Sequence, residues 1–186
     1  MLILASNSPR RKELLGMLGY EFEVKHADCN ENTNLTDPEE LVKELSLRKA
    51  RAVNCNAEDT VIGSDTVVAI DGKILGKPKD KKDAENMLKL LSGKTHTVFT
   101  GVTIIKGATV ITDCIACDVI FKPLTHDEIT GYINTLEPMD KAGAYAIQGK
   151  GSAFVTRING DYFAVVGFPC CYVNQTLNKL GIHPTK

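Results

Sequence analysis

Apolar, β-branched runs alternate with helical periods from one end of this chain to the other, and that alternation leaves few architectures open. Residues 1–5 (MLILA) make a short buried strand, and a helical segment follows almost at once. Residues 60–70, 95–105 and 110–121 are longer strands, and Asp71-Gly72 and Lys106-Gly107 stand at hairpin positions, the first leading into 73–75. Helices interleaved with both parallel-type and hairpin-type strands predict an α/β fold with a mixed sheet.

The helix boundaries carry their own signals. Ser8 is a good N-cap, Pro9 a favoured first helical residue, and Leu14, Leu15 and Leu18 form an apolar face before Gly19. Residues 20–25 read as a strand and 27–37 as a polar loop. Pro38 opens a helix to about Asn54 with Val42, Leu45, Ala52 and Val53 on one face. Asp80 caps a helix whose Ala84, Met87, Leu88 and Leu91 share a face. Residues 125–136 and 169–180 are helical, and 153–158 and 161–166 are expected to pair as strands around Asn159-Gly160. With no repeat, linker or low-complexity tract, residues 1–186 are expected to form a single domain.

Composition narrows the function classes. A net charge of −1 gives no electrostatic case for nucleic acid or an anionic membrane. No run approaches the roughly 20 apolar residues of a membrane span, and the N-terminus lacks a signal layout, so a cytoplasmic protein is expected. Cys114 and Cys117 are spaced C-x-x-C but fall on a strand, where residues three apart face opposite sides. The six cysteines are therefore expected to be buried, reduced and structural, and the four scattered histidines form no ligand motif.

Several residues sit where local physics does not want them. Arg10 and Arg11 occupy the first turn of a helix, where the field is already positive and acids are preferred. An anion shared by the helix N–H groups, the Ser6 and Ser8 hydroxyls and both guanidiniums removes the conflict, which points to a phosphate site; solvated surface arginines are the plainer alternative. Asp65 lies within an apolar strand beside Gly63, Ser64 and Thr66. It is either an acid satisfied by a turn or a buried lysine, or a carboxylate that activates water or holds a divalent metal. Lys49 falls on the apolar face of its helix, either snorkelling or aimed at the same place as Asp65. Lys77 is held extended by Pro78. Glu31 is either a solvated loop acid or a second metal ligand. Gln148, between Ile147 and Gly149, has the donor–acceptor pattern to read a base edge, or is a buried amide satisfied by backbone.

Together these segments closely resemble the Maf family of nucleoside triphosphate pyrophosphatases. Leu4-Ala-Ser-Asn-Ser-Pro-Arg-Arg-Lys-Glu-Leu-Leu15 is similar to the family's N-terminal signature; Gly63-Ser-Asp-Thr66, Gly76-Lys-Pro78, Leu91-Ser-Gly93 with His96, and the segment 137–149 resemble later motifs in the same order. The resemblance implies a fold like that of inosine triphosphate pyrophosphatases, with a twisted mixed sheet and two lobes around a deep cleft. It implies hydrolysis of a nucleoside triphosphate to the monophosphate and pyrophosphate with Mg²⁺ or Mn²⁺, in a cytoplasmic homodimer, and a link to arrest of cell division.

In the family the aspartate matching Asp65 is taken as general base, and positions matching Arg10, Thr66 and Gln148 are associated with substrate choice. Lys141-Ala-Gly-Ala-Tyr-Ala-Ile-Gln-Gly149 resembles the branch acting on dTTP and UTP, with Ala146 where that branch is expected to carry glycine. Arg10, Arg11, Lys49 and Lys77 can neutralise the polyphosphate, and Glu31 and Asp65 can hold the metal. The competing readings are a pyrophosphatase for 7-methyl-GTP or non-standard purine triphosphates, and a non-catalytic nucleotide-sensing inhibitor of septum formation.

Overall fold

The computed structural model describes residues 1–185. Its strands are β1 (Leu2–Ala5), β2 (Glu23–Lys25), β3 (Thr60–Ile70), β4 (Lys73–Leu75), β5 (Thr95–Lys106), β6 (Thr109–Phe121) and β7 (Val155–Asn159). Its helices are α1 (Pro9–Met17), α2 (Pro38–Ala52), α3 (Lys81–Leu91), α4 (His126–Asn134), α5 (Tyr162–Val166) and α6 (Cys170–Lys179). The seven strands form one sheet in the order β2-β1-β3-β5-β6-β7, with β4 paired to β3. Parallel β1–β2 and β1–β3 pairs combine with antiparallel β3–β4 and β6–β7 pairs, so the sheet is mixed as expected.

Chain contacts divide the molecule into two compact units. The first comprises residues 1–65, 100–115 and 167–186, and the second 66–99 and 116–166. In the first, Ile3, Ala5, Ala50, Val53 and Val61 pack together. The face of α2 buries Ala50 and leaves Ala52 exposed, because the period set by Val42, Leu45 and Ser46 reaches 49–50 and then 53. Tyr20 does not extend β2. It turns into the core and donates its hydroxyl to Asn174 at 2.8 Å, and pairing with β1 begins only at Glu23.

The second unit holds the larger core, with Leu88, Leu91, Phe121, Tyr132, Tyr145 and Phe154 among its members. Asp80 caps α3 by accepting from the Asp83 N–H, and Thr125 and Glu128 form a reciprocal capping box at α4. One expected hairpin does not form: within residues 161–166, Tyr162–Val166 is the helix α5. The Asp161 side chain accepts from the Phe163 N–H at 2.8 Å and its carbonyl from Ala164, so the residue starts a helix, while β7 takes β6 as its partner. None of the six cysteines is in a disulfide among the described residues, but only Cys117 and Cys170 are buried; Cys55 lies in the loop after α2 and Cys171 is exposed on α6.

His96 is sealed in this core at 2% exposure. Its Nε2 lies 2.8 Å from the Tyr145 hydroxyl, while Nδ1 has no partner among the described residues. Burial lowers its pKa from 6.5 to about 4. The unfolded chain therefore takes up a proton below pH 6.5 that the folded one refuses, and stability falls as pH drops from 6.5 toward 4. Unfolding monitored from pH 7 to pH 4 should show His96→Phe losing about 3 kcal/mol less than the wild type. Parallel losses would mean that His96 does not carry this acid sensitivity.

Candidate active site

Asp65 lies near the middle of β3 and is 8% exposed. Two residues earlier, a Cβ on Gly63 would collide with the Ser46 carbonyl oxygen and sit 2.7 Å from the Ala50 nitrogen, so glycine is what lets the α2 backbone lie directly on the strand. Hydroxyl contacts fix the rotation of that helix: Ser46 Oγ lies 2.8 Å from Thr103 Oγ1, which lies 2.9 Å from Thr112 Oγ1. Lys49 is thereby delivered to Asp65, with Nζ 2.5 Å from Oδ1, and the same ammonium stands 3.0 Å from Glu31 Oε1. Lys49 and Asp65 are both mostly buried, whereas Glu31 is exposed. Of the alternatives for Asp65, the structure has the acid satisfied by a buried lysine, and the same lysine stands beside a second acid, Glu31.

The loop between β1 and α1 resolves its misplaced charges unequally. Ser8 occupies the N-cap position but its side chain makes no cap bond. Ser6 Oγ instead accepts from the Ser8 N–H at 3.2 Å and from Arg11 Nη1 at 3.4 Å. Arg11 turns inward and donates from Nε to the Gly167 carbonyl at 2.9 Å and from Nη1 to the Ser64 carbonyl at 2.8 Å. Burial lowers the pKa of its guanidinium, with the Asp65 charge opposing the shift. Arg10 is half-buried, and no hydrogen bond or ion pair to it occurs among the described residues.

Thr66, Lys77 and Gln148 belong to the second unit. Thr66 is half-buried on β3 and Lys77 is exposed beside buried Pro78. The Gly143 N–H donates to the Gly76 carbonyl at 3.0 Å, which joins the Gly76-Lys77-Pro78 segment to the segment 141–149. Within the latter, Tyr145 and Ile147 turn into the core and Gln148 is exposed, so Gln148 is not the buried amide that sequence left open.

Glu137 anchors this loop, a role its sequence position did not announce. Its carboxylate accepts from the Tyr132 hydroxyl at 2.8 Å and from the Lys150 and Gly151 N–H groups at 3.1 and 3.2 Å; the Tyr132 oxygen accepts in turn from the Ala146 N–H at 3.0 Å. Burial alone would raise the Glu137 pKa, but these donors hold it below the usual carboxylate value. Gly149 is the available signal, because a side chain there would collide with the Glu137 carboxylate.

Among the described residues no three His, Cys, Asp or Glu side chains gather as a metal-binding group, and no helix is long and apolar enough to cross a membrane. The chain matches the Maf-like protein family over residues 1–180. A dTTP/UTP pyrophosphatase of Bacillus pumilus is 52% identical, the match covering 98% of each chain. One of Thermococcus onnurineus is 52% identical over 91% of this chain and 92% of its own. One of Bacillus anthracis is 46% identical over 99% and 97%. In fold, the chain is similar to the Ham1 protein of Staphylococcus aureus, with a TM-score of 0.53 and 13% identity across 97% and 98% of the two chains.

Proposed function

Because the chain belongs to the Maf-like protein family, we propose that it is a nucleoside triphosphate pyrophosphatase that hydrolyses dTTP and UTP to the monophosphate and pyrophosphate. The observation that carries the chemistry is the Asp65–Lys49–Glu31 cluster, an acid buried in β3 and held by an ammonium that also engages a second acid. Asp65 accepts a proton from the water that attacks the α-phosphorus. The α–β bridging P–O bond breaks, and pyrophosphate leaves with the bond's electron pair. Lys49 orients the Asp65 carboxylate. The start of α1, with Ser6, Ser8 and Arg10, receives the polyphosphate; the Ser8 hydroxyl, which makes no cap bond, and Arg10, which has no hydrogen bond or ion pair among the described residues, are suited to direct contact. Lys77 adds a further cation, and Thr66 and Gln148 select the base.

Two carboxylates already gathered round one cation fit a divalent metal of the Mg²⁺ or Mn²⁺ type, which takes one or two protein carboxylates and completes its shell with water and phosphate oxygens. Glu31 and Asp65 would hold it, and it would neutralise charge developing on the phosphates. The same reading makes the protein a single-domain, cytoplasmic homodimer that acts on free nucleotides, with neither nucleic acid nor membrane as partner. Six cysteines without a disulfide among the described residues suit a reducing compartment.

The test is pyrophosphate release with Mg²⁺ across dTTP, UTP, CTP, GTP, ATP and 7-methyl-GTP, repeated after chelation. Release confined to dTTP and UTP and abolished by chelator is expected. Release from purines only would overturn the base assignment, and binding without release would favour a nucleotide sensor. Base choice has its own variant. Gln148→Glu replaces a donor amide with a second acceptor and should reduce the dTTP/CTP ratio of kcat/KM by about 10-fold. An unchanged ratio would remove Gln148 from base reading.

A further inference from the structure

We infer that Arg11 is a positioning residue, acting through Asp65 and not on the phosphates, and that its neighbour Arg10 alone supplies the direct arginine contact to substrate. The inference rests on the reading of Asp65 as the base. Arg11 bridges three separate stretches of chain. Its Nη1 reaches Ser6 Oγ in the loop that opens α1 and the Ser64 carbonyl on β3, and its Nε reaches the Gly167 carbonyl, 156 residues away in sequence. The Ser64 carbonyl belongs to the peptide unit whose nitrogen is that of Asp65, so a donor pulling on it sets the plane from which the Asp65 side chain departs. The clasp is doubled, since Ser64 Oγ also donates to the Gly167 carbonyl at 3.2 Å. Gly167 has a φ of 112°, a conformation left to glycine, and its carbonyl takes both donors.

A guanidinium is suited to this task because its N–H groups leave in one rigid plane and can serve two carbonyls at once; an ammonium on a flexible stem cannot reproduce the pair. The contrast with Arg10 is chemical as well as positional. One guanidinium of the Arg10-Arg11 pair is turned into backbone carbonyls, while the other has no polar partner among the described residues. Helix geometry explains the split, because successive residues point about 100° apart around the axis and only one of the two can face β3.

The decisive experiment measures dTTP turnover and the Kd of α,β-imido-dTTP, which cannot be cleaved at the scissile position. It uses Arg11→Lys, Arg11→Gln and Arg10→Gln, each alone and combined with Asp65→Asn. Both Arg11 variants should keep the analogue Kd within about 3-fold while kcat falls about 30-fold, as for a displaced catalytic group, and should add nothing to the loss in Asp65→Asn. Arg10→Gln should instead weaken the analogue by about 10-fold or more in either background. Ser64→Ala removes only the second donor to Gly167 and should lower kcat about 3-fold at unchanged Kd, which decides the matter if an Arg11 variant does not fold. Analogue binding weakened equally by the Arg10 and Arg11 variants, or a further Arg11 loss in Asp65→Asn, would overturn the inference. Full activity of Asp65→Asn alone would instead remove the base assignment, and the comparison of analogue affinities would still separate the two arginines.

Discussion

Asp65→Asn should lower kcat for dTTP by about 100-fold or more while KM changes little. The substitution preserves shape, so β3 and the loop at Ser64 keep their course, but an amide cannot take the proton of the attacking water. A 100-fold loss corresponds to about 2.7 kcal/mol of transition-state stabilisation, near the lower end of what a positioned general base contributes. Stability should fall less than for a fully orphaned buried ion, because Lys49 keeps Glu31 at 3.0 Å and an amide oxygen in place of the carboxylate. Pyrophosphate release at saturating dTTP and Mg²⁺, with a thermal melt on the same preparation, separates the two effects. A rate within 3-fold of wild type, about 0.7 kcal/mol, would exclude Asp65 as the base.

Gly63→Ala should be among the most damaging single-methyl additions to this protein. The new Cβ would meet the Ser46 carbonyl and the Ala50 nitrogen, both backbone atoms of a helix held by the Ser46, Thr103 and Thr112 hydroxyls, so no flexible side chain can yield. We expect destabilisation of about 3 kcal/mol, the upper end of overpacking costs. The folded fraction should also have reduced kcat, because α2 moves outward and carries Lys49 away from Asp65. Gly76→Ala is the control: nothing lies within 4 Å of its Cβ position, and stability should change by no more than about 0.5 kcal/mol. Urea unfolding of the two variants against wild type reads the difference directly. Equal midpoints would show that α2 does not need glycine at 63.

Much of the architecture was legible because its signals are local. The boundaries of β3, β4 and α3 follow from β-branched runs, an Asp-Gly turn and an Asp cap, each acting within a few residues. The 161–166 segment misled for the same reason: its apolar residues suit a strand, and only the hydrogen bonds of Asp161 with the β6–β7 pairing show that a helix starts there. At the candidate site, Asp65 and Lys49 were suspected because each is a charge in an apolar pattern, a cost that needs a partner somewhere.

What the chain determined by itself was therefore the mixed α/β class, most element boundaries, the Maf resemblance and the roster of charges out of place. Which partners those charges have was decided only by tertiary structure. Lys49 meets Asp65 because α2 can rest on Gly63, and Arg11 meets carbonyls 53 and 156 residues away while adjacent Arg10 does not. Glu137 becomes the anchor of the Gln148 loop through a tyrosine on α4 and two N–H groups beyond Gly149. The physical reason is range: propensity, caps and turns act over a few residues, whereas satisfying a buried charge depends on which distant backbone and side-chain groups the packed chain brings within about 3 Å.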